Sequence, residues 1–339
     1  MSTGSPYYPI AGLTPDALSP RKEICNYFSN YPLYSLAWSR REDRNRMFRM
    51  ALGTFLEEST NKLQQTTRPD FGLIAEAAVD YPVTKILWHP VKTGYSSDLL
   101  ATTGDMLADL GLRAKLTTRA DYAAPITSFD WNSIDPTAHY YLELWDIETN
   151  QAKTQLIAHD REVFDVGFVA GSQDVFASAG ADGSIRMFDL RSLEHSTILF
   201  EAPSTTAQSA ADPSNYSSTA RITSFTPPLL RLSCNAVDPN YIATFALDAH
   251  QVSILDVRFP GSPVIQLIGH QAPIHSVAWN PGSSSQLCSA GADSRVLPTN
   301  AAPSLTYAAR LPVNSLAWHQ NSAEWVSIAF GNTVQTLRL

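Results

Sequence analysis

The sequence predicts an all-β chain folded as a seven-bladed β-propeller, with several blades incomplete. Two observations point there. The first is an apolar strand pattern that recurs seven times, ending at Trp38, Trp88, Trp131, Phe168, Cys234, Trp279 and Trp318. The intervals are 50, 43, 37, 66, 45 and 39 residues, and a period of about 40–45 residues with four short strands per unit is the mark of a propeller blade. The second is an ungapped internal echo. Residues 159–182 read HDREVFDVGFVAGSQDVFASAGAD and residues 270–293 read HQAPIHSVAWNPGSSSQLCSAGAD. In each, an alternating apolar segment (Val163, Val166, Phe168; Ile274, Val277, Trp279) precedes a Gly-containing turn. A second apolar run then leads to SAGAD, so the unit reads strand, turn, strand, turn.

Taken in order, residues 1–22 are Pro-rich with no long apolar run and read as a disordered tail, and residues 23–339 as the propeller. Residues 23–28 read as an outermost strand completing the last blade, whose inner strands are expected at 314–318, 325–330 and 333–339. Such closure removes exposed sheet edges. The 66-residue interval contains a polar low-complexity insertion, 202–228. Three units look one strand short. Phe168 to Phe188 spans 20 residues, but Trp131 to Trp145 allows only 14. After Asp105 comes an Ala-Leu-Arg-Lys-rich piece with helical character, and after Asp293 both Pro298 and Pro303 oppose a central strand. Blades two, three and six are therefore expected to be incomplete.

The composition narrows function. With 44% hydrophobic and 17% charged residues the chain can bury a large core. A formal net charge of −8 disfavours binding to phosphate backbones, which rests on Lys and Arg. Cys25, Cys234 and Cys288 lack metal-ligand spacing and read as buried thiols of a reducing compartment. With no secretory segment, a soluble intracellular protein is expected, and the NYS triplet at Asn215 carries little weight. His139, His195, His250, His275 and His319 are dispersed in turns or near strand ends and read as solvated or satisfied side chains. No cofactor or metal site is expected.

The chain resembles the WD40-repeat propellers. The likeness rests on Ala158-His159 and Gly269-His270, on Trp145-Asp146, Phe188-Asp189 and Leu255-Asp256, and on the two SAGAD turns. It implies that His159, Ser178 and Asp182, and again His270, Ser289 and Asp293, form buried hydrogen-bonded chains that hold a blade together. The same residue types serve Ser-His-Asp hydrolases, but Ser178 lies mid-strand with no nucleophile elbow and the trio recurs, which favours architecture. Phe188 stands where the family has Trp, so the chain there lacks its indole donor.

Stretches such as KTQLIAHDREVFDVGF and GSIRMFDLRSLEHSTILFE resemble one branch more closely, the small WD-repeat scaffolds around Transparent Testa Glabra and its kinase-binding animal and fungal relatives. The resemblance implies a non-enzymatic scaffold for protein kinases, transcription factors or cullin-4 ubiquitin ligases, monomeric, in cytoplasm and nucleus. Phe188-Asp189-Leu190-Arg191 and Leu255-Asp256-Val257-Arg258 keep the Asp and Arg of that branch's ligase-binding Trp-Asp-x-Arg motif. Arg191 and Arg258 thus read either as partner contacts or as closing local ion pairs. Asp160, Arg161, Glu162 and Phe164, before an inner strand, are candidate partner contacts by fold analogy or an ordinary solvated turn. A propeller hydrolase and an RNA-binding propeller are the alternatives. The first lacks converging carboxylates or a metal-ligand spacing, and the second lacks a basic patch.

Overall fold

The computed structural model describes residues 24–43, 46–56, 60–67, 71–79, 81–90, 99–103, 107–109, 111–114, 127–132, 138–140, 143–146, 151–208, 222–300, 302–303 and 306–339. The N-terminal tail and Asn215 lie outside them. Every regular element among the described residues is a strand. Seven antiparallel sheets of four or five strands follow one another along the chain. Their inner strands are Leu33–Trp38, Ile86–Trp88, Asp130–Trp131, Val163–Phe168, Leu229–Cys234, Ile274–Trp279 and Ser315–Trp318. Each ends on the residue that the repeat picked out.

Most inner strands pack beside the next in chain order, and the seventh returns to the first. Blades two and three meet through Leu87, Ala101, Phe129 and Trp131. The last sheet is closed by Ile24–Phe28, which pairs with Thr333–Arg338 in the register Ile24↔Leu337 to Phe28↔Thr333. The beginning and end of the ring share a backbone ladder, so Thr333–Arg338 is paired on both sides.

The three blades expected to be incomplete are not. Blade two carries Leu100–Thr102, Leu107–Asp109 and Gly111–Ala114 outside its inner strand. The described part of the piece with helical character, 107–109 and 111–114, is extended instead, because the preceding strand offers it a ladder (Leu100↔Ala108, Ala101↔Leu107). Sheet pairing overrides helix propensity here. Blade three fits four strands by shortening them, with Asp130–Trp131, Ala138–Tyr140, Glu143–Asp146 and Gln151–Gln155. Blade six forms Arg295–Asn300 as its third strand despite Pro298. Its outer partner comes in two pieces, Ala302–Pro303 against 299–300 and Tyr307–Ala308 against 295–296, so the proline lies between them. A residue with no N–H is tolerated where the ladder is interrupted. The polar insertion carries a hairpin of Thr205–Gln208 with Ile222–Phe225.

The cores lie between neighbouring sheets. Ala177, Ile185 and Leu199 of blade four pack on Leu232, Ile242 and Leu255 of blade five, and Cys288 and Val296 of blade six on Trp318, Val326 and Ile328 of blade seven. Polar links run across the same seams. The indole N–H of Trp88 donates to Ala37 O (3.2 Å), that of Trp131 to Leu87 O (3.4 Å) and that of Trp318 to Ala278 O (3.1 Å). In each case the acceptor lies one residue before the end of the preceding inner strand. The recurrent Trp therefore stitches its blade to the one before it. Each bond contributes about 1 kcal/mol net. Trp38 and Trp279 leave this link unmade.

The cysteines are less uniform than expected. Cys288 is buried, but Cys25 and Cys234 are half-buried, one on the outermost strand and the other at an inner-strand end facing the central channel. Cys234 and Cys288 are free thiols.

Candidate functional site

The His, Ser and Asp of the echo meet in both copies. In blade four the His159 Nε2 lies 2.7 Å from Ser178 Oγ, and Nδ1 lies 3.0 Å from both Asp182 oxygens. A carboxylate only accepts, so Nδ1 carries the proton and the Ser178 hydroxyl donates to Nε2. In blade six the corresponding distances are 2.9 Å to Ser289 and 3.0 and 3.1 Å to Asp293. Asp182 also accepts from the backbone N–H and the hydroxyl of Ser184 (3.0 and 2.8 Å). Burial alone raises the Asp182 carboxyl, but the hydrogen bonds from Ser184 and His159 outweigh it and hold the group below the ordinary carboxylate range. Burial lowers the His159 imidazole, against the pull of Asp182.

The glycine of SAGAD is part of this arrangement. A Cβ on Gly180 meets His159 Nδ1 at 2.4 Å, so only glycine lets the ring reach across to Asp182. Ser178 is fully buried, which seals its hydroxyl from any substrate. Where Phe188 replaces the indole, its ring stacks on Phe176 at 5.2 Å and 12°, and packing takes over from the missing hydrogen bond.

The remaining candidates fall on two opposite rims. Antiparallel strands place the turn before an inner strand and the turn between second and third strands at one end of the blade, and the other turns at the far end. Arg191, between Ser184–Asp189 and Ser192–Glu201, and Arg258, just past Gln251–Asp256, therefore share one rim on neighbouring blades. Both close the local pair: Arg191 Nε donates to Asp189 (2.9 Å), and Arg258 Nε and Nη2 donate to Asp256 (2.8 and 2.6 Å). The Arg191 hydrogen bonds pull the Asp189 carboxyl down to about 2. Both guanidiniums nonetheless face solvent, with side chains 71% and 52% exposed. Arg258 also lies beside the rings of Tyr241 and Phe259 (5.8 and 5.9 Å), and Phe259 is itself exposed. The aspartates hold each Arg in one direction and leave part of its donor fork open.

On the opposite rim, Asp160, Arg161 and Glu162 are exposed and Phe164 is half-buried. Ile157, which the sequence reading passed over, is the most exposed large apolar residue of this turn. Among the described residues no three His, Cys, Asp or Glu side chains gather as a metal-binding set.

Successive antiparallel sheets of four or five strands, two of them carrying a buried His–Ser–Asp hub, define a WD40-repeat protein. The family model described as WD domain, G-beta repeat matches residues 150–189 and 261–297. The DDB1- and CUL4-associated factor 7 homolog of Dictyostelium discoideum is 40% identical over 94% of this chain and 99% of its own length. An uncharacterized WD repeat-containing protein of Schizosaccharomyces pombe is 38% identical over 82% of this chain and 70% of its own. A WD repeat-containing protein of Saccharomyces cerevisiae is 37% identical over 81% and 57%. The chain belongs to the WD-repeat family that includes the Dictyostelium factor.

Proposed function

We propose that this protein is a non-enzymatic adaptor that associates with DDB1 and CUL4 in a ubiquitin-ligase complex and presents partner proteins to it. The observation that carries the reading is the pair Arg191 and Arg258: the same position on neighbouring blades, one rim, each steered by its own aspartate and each exposed. The name of the Dictyostelium relative supports the same partner. The opposite rim, with Ile157, Asp160, Arg161, Glu162 and Phe164, takes the second partner, a protein kinase or transcription factor. The adaptor acts as a monomer, in cytoplasm and nucleus.

Replacing both arginines (Arg191→Ala with Arg258→Ala) is expected to abolish co-purification with DDB1 while the far-ultraviolet circular dichroism and Tm stay near wild type. Both side chains are largely solvated, so their removal costs the fold little. Undiminished DDB1 recovery with the double variant contradicts the assignment.

A further inference from the structure

The inner strands enclose a channel of about 530 Å³ whose wall is unevenly charged. Three residues before the strand ends stand Ser35, Ser276 and Ser315 on one side and Lys85, Asp165 and Arg231 on the other. Asp130 and Ser233 lie one position before their strand ends, and Arg40 lies two past the end of the first inner strand, toward the rim of Arg191 and Arg258.

A count of donors and acceptors separates the settled groups from the open ones. The three ammonium protons of Lys85 go to Asp165 (2.7 Å), Ser128 Oγ (2.9 Å) and Val166 O (3.3 Å). Asp165 also accepts from Ser128 and from the N–H groups of Val166 and Leu232, and the charge of Arg231 adds to the pull of Lys85 on it. Asp130 accepts the N–H groups of Trp131 (2.9 Å) and Phe168 (2.8 Å). Against these two carboxylates stand three cations, Lys85, Arg40 and Arg231. The Arg40 guanidinium makes no hydrogen bond among the described residues, its backbone carbonyl accepting from Asn321 (3.4 Å), and the Arg231 guanidinium commits only Nη1, to Leu230 O (2.9 Å) and Phe164 O (3.5 Å).

Ser233 and Ser276 accept the N–H groups of Trp279 and Leu316 (3.2 Å each), and their own protons have no acceptor among the described residues. The channel thus holds an excess of positive charge and of donors in a confined space, where unmatched charges are costly. Burial pushes Arg40 down and Asp130 up, against their mutual attraction and the pull of Lys85 on Asp130.

We propose that the channel binds a small free oxyanion bearing carboxylate or phosphate groups, held by Arg40 at the mouth and by Arg231 with the Ser233 and Ser276 hydroxyls further in. The proposal is independent of the adaptor role, because no rim contact enters it. An acidic side chain inserted from a docked protein carries the same chemistry, so the test separates the two sources.

Isothermal titration calorimetry of the full chain uses citrate, inorganic phosphate and a Glu-rich peptide, each at ionic strength matched with NaCl. Saturable 1:1 binding of citrate or phosphate is expected. Loss of a charge-assisted contact weakens it roughly tenfold in Arg40→Gln and again in Arg231→Gln, while Arg191→Ala binds as wild type. Circular dichroism checks that each variant folds, and Arg231→Gln stands in should Arg40→Gln not fold. No saturable heat with either anion, equal affinity in wild type and the folded variants, or binding of the peptide alone overturns the proposal.

Discussion

Blade four builds its sheet from strands of 6, 6, 6 and 10 residues, whereas blade three uses 2, 3, 4 and 5. The long blade is held from within, by the His159 hub and the stacked Phe176 and Phe188 rings. The described inner-strand region of the short blade is held largely from outside. Trp131 donates back to blade two, Asp130 accepts the Phe168 N–H, Ser128 joins Asp165, and the Asn132 amide donates to Gln173 O at 2.7 Å. Strand number does not follow strand length: every blade keeps at least four strands. Strand length is a local matter, and where the inner strand is only two residues long its described side chains reach to the neighbouring blades.

The largest expected effect breaks the internally held blade. Gly180→Ala forces a methyl into the His159 ring, and overpacking with disruption of the hub is expected to lower stability by about 3 kcal/mol in urea unfolding. A loss within a few tenths of a kcal/mol means the hub does not hold blade four.

A smaller effect comes from pH. The folded-state pKa of His159 lies below its ordinary value, so the unfolded chain binds the proton more readily. The contribution of His159 is fully present above about pH 6.5, the unfolded value, and is lost as pH falls through the lower folded value. Urea midpoints measured from pH 7 to pH 5 are expected to fall in wild type and to fall less in His159→Gln. Parallel slopes in the two proteins count against a neutral His159 at the hub.

The smallest effect sharpens the comparison between the two echoing turns. Where blade four has Gly183 at φ 79°, blade six has Ser294 at φ 60°. Ser294→Gly relieves a left-handed serine and is expected to raise stability by about 0.5–1 kcal/mol. A destabilised variant shows that the serine backbone is not strained.

Much of this architecture is legible in the sequence because it repeats. The seven inner strands are visible through their shared ending on Trp, Phe or Cys, and the hub partners through the 159–182 and 270–293 echo. The short strands of blades two and three were not legible, since two to four residues are too few to carry a period. Pro298 argued against a strand that forms because the outer ladder divides around it. The Trp links to the preceding blade were also missed: each joins residues more than 39 positions apart, and only the ring brings them together. Their signal was present in the recurrence of Trp at one strand position.

Seven blades with every ladder filled is the claim most open to direct test, and amide hydrogen exchange across 107–114 and 138–146 in the native protein reaches it. These segments form the paired strands Leu107–Asp109, Gly111–Ala114, Ala138–Tyr140 and Glu143–Asp146. Exchange slowed well below random-coil rates at their ladder amides is expected. Random-coil exchange there, with the strands of blade four still protected, contradicts it.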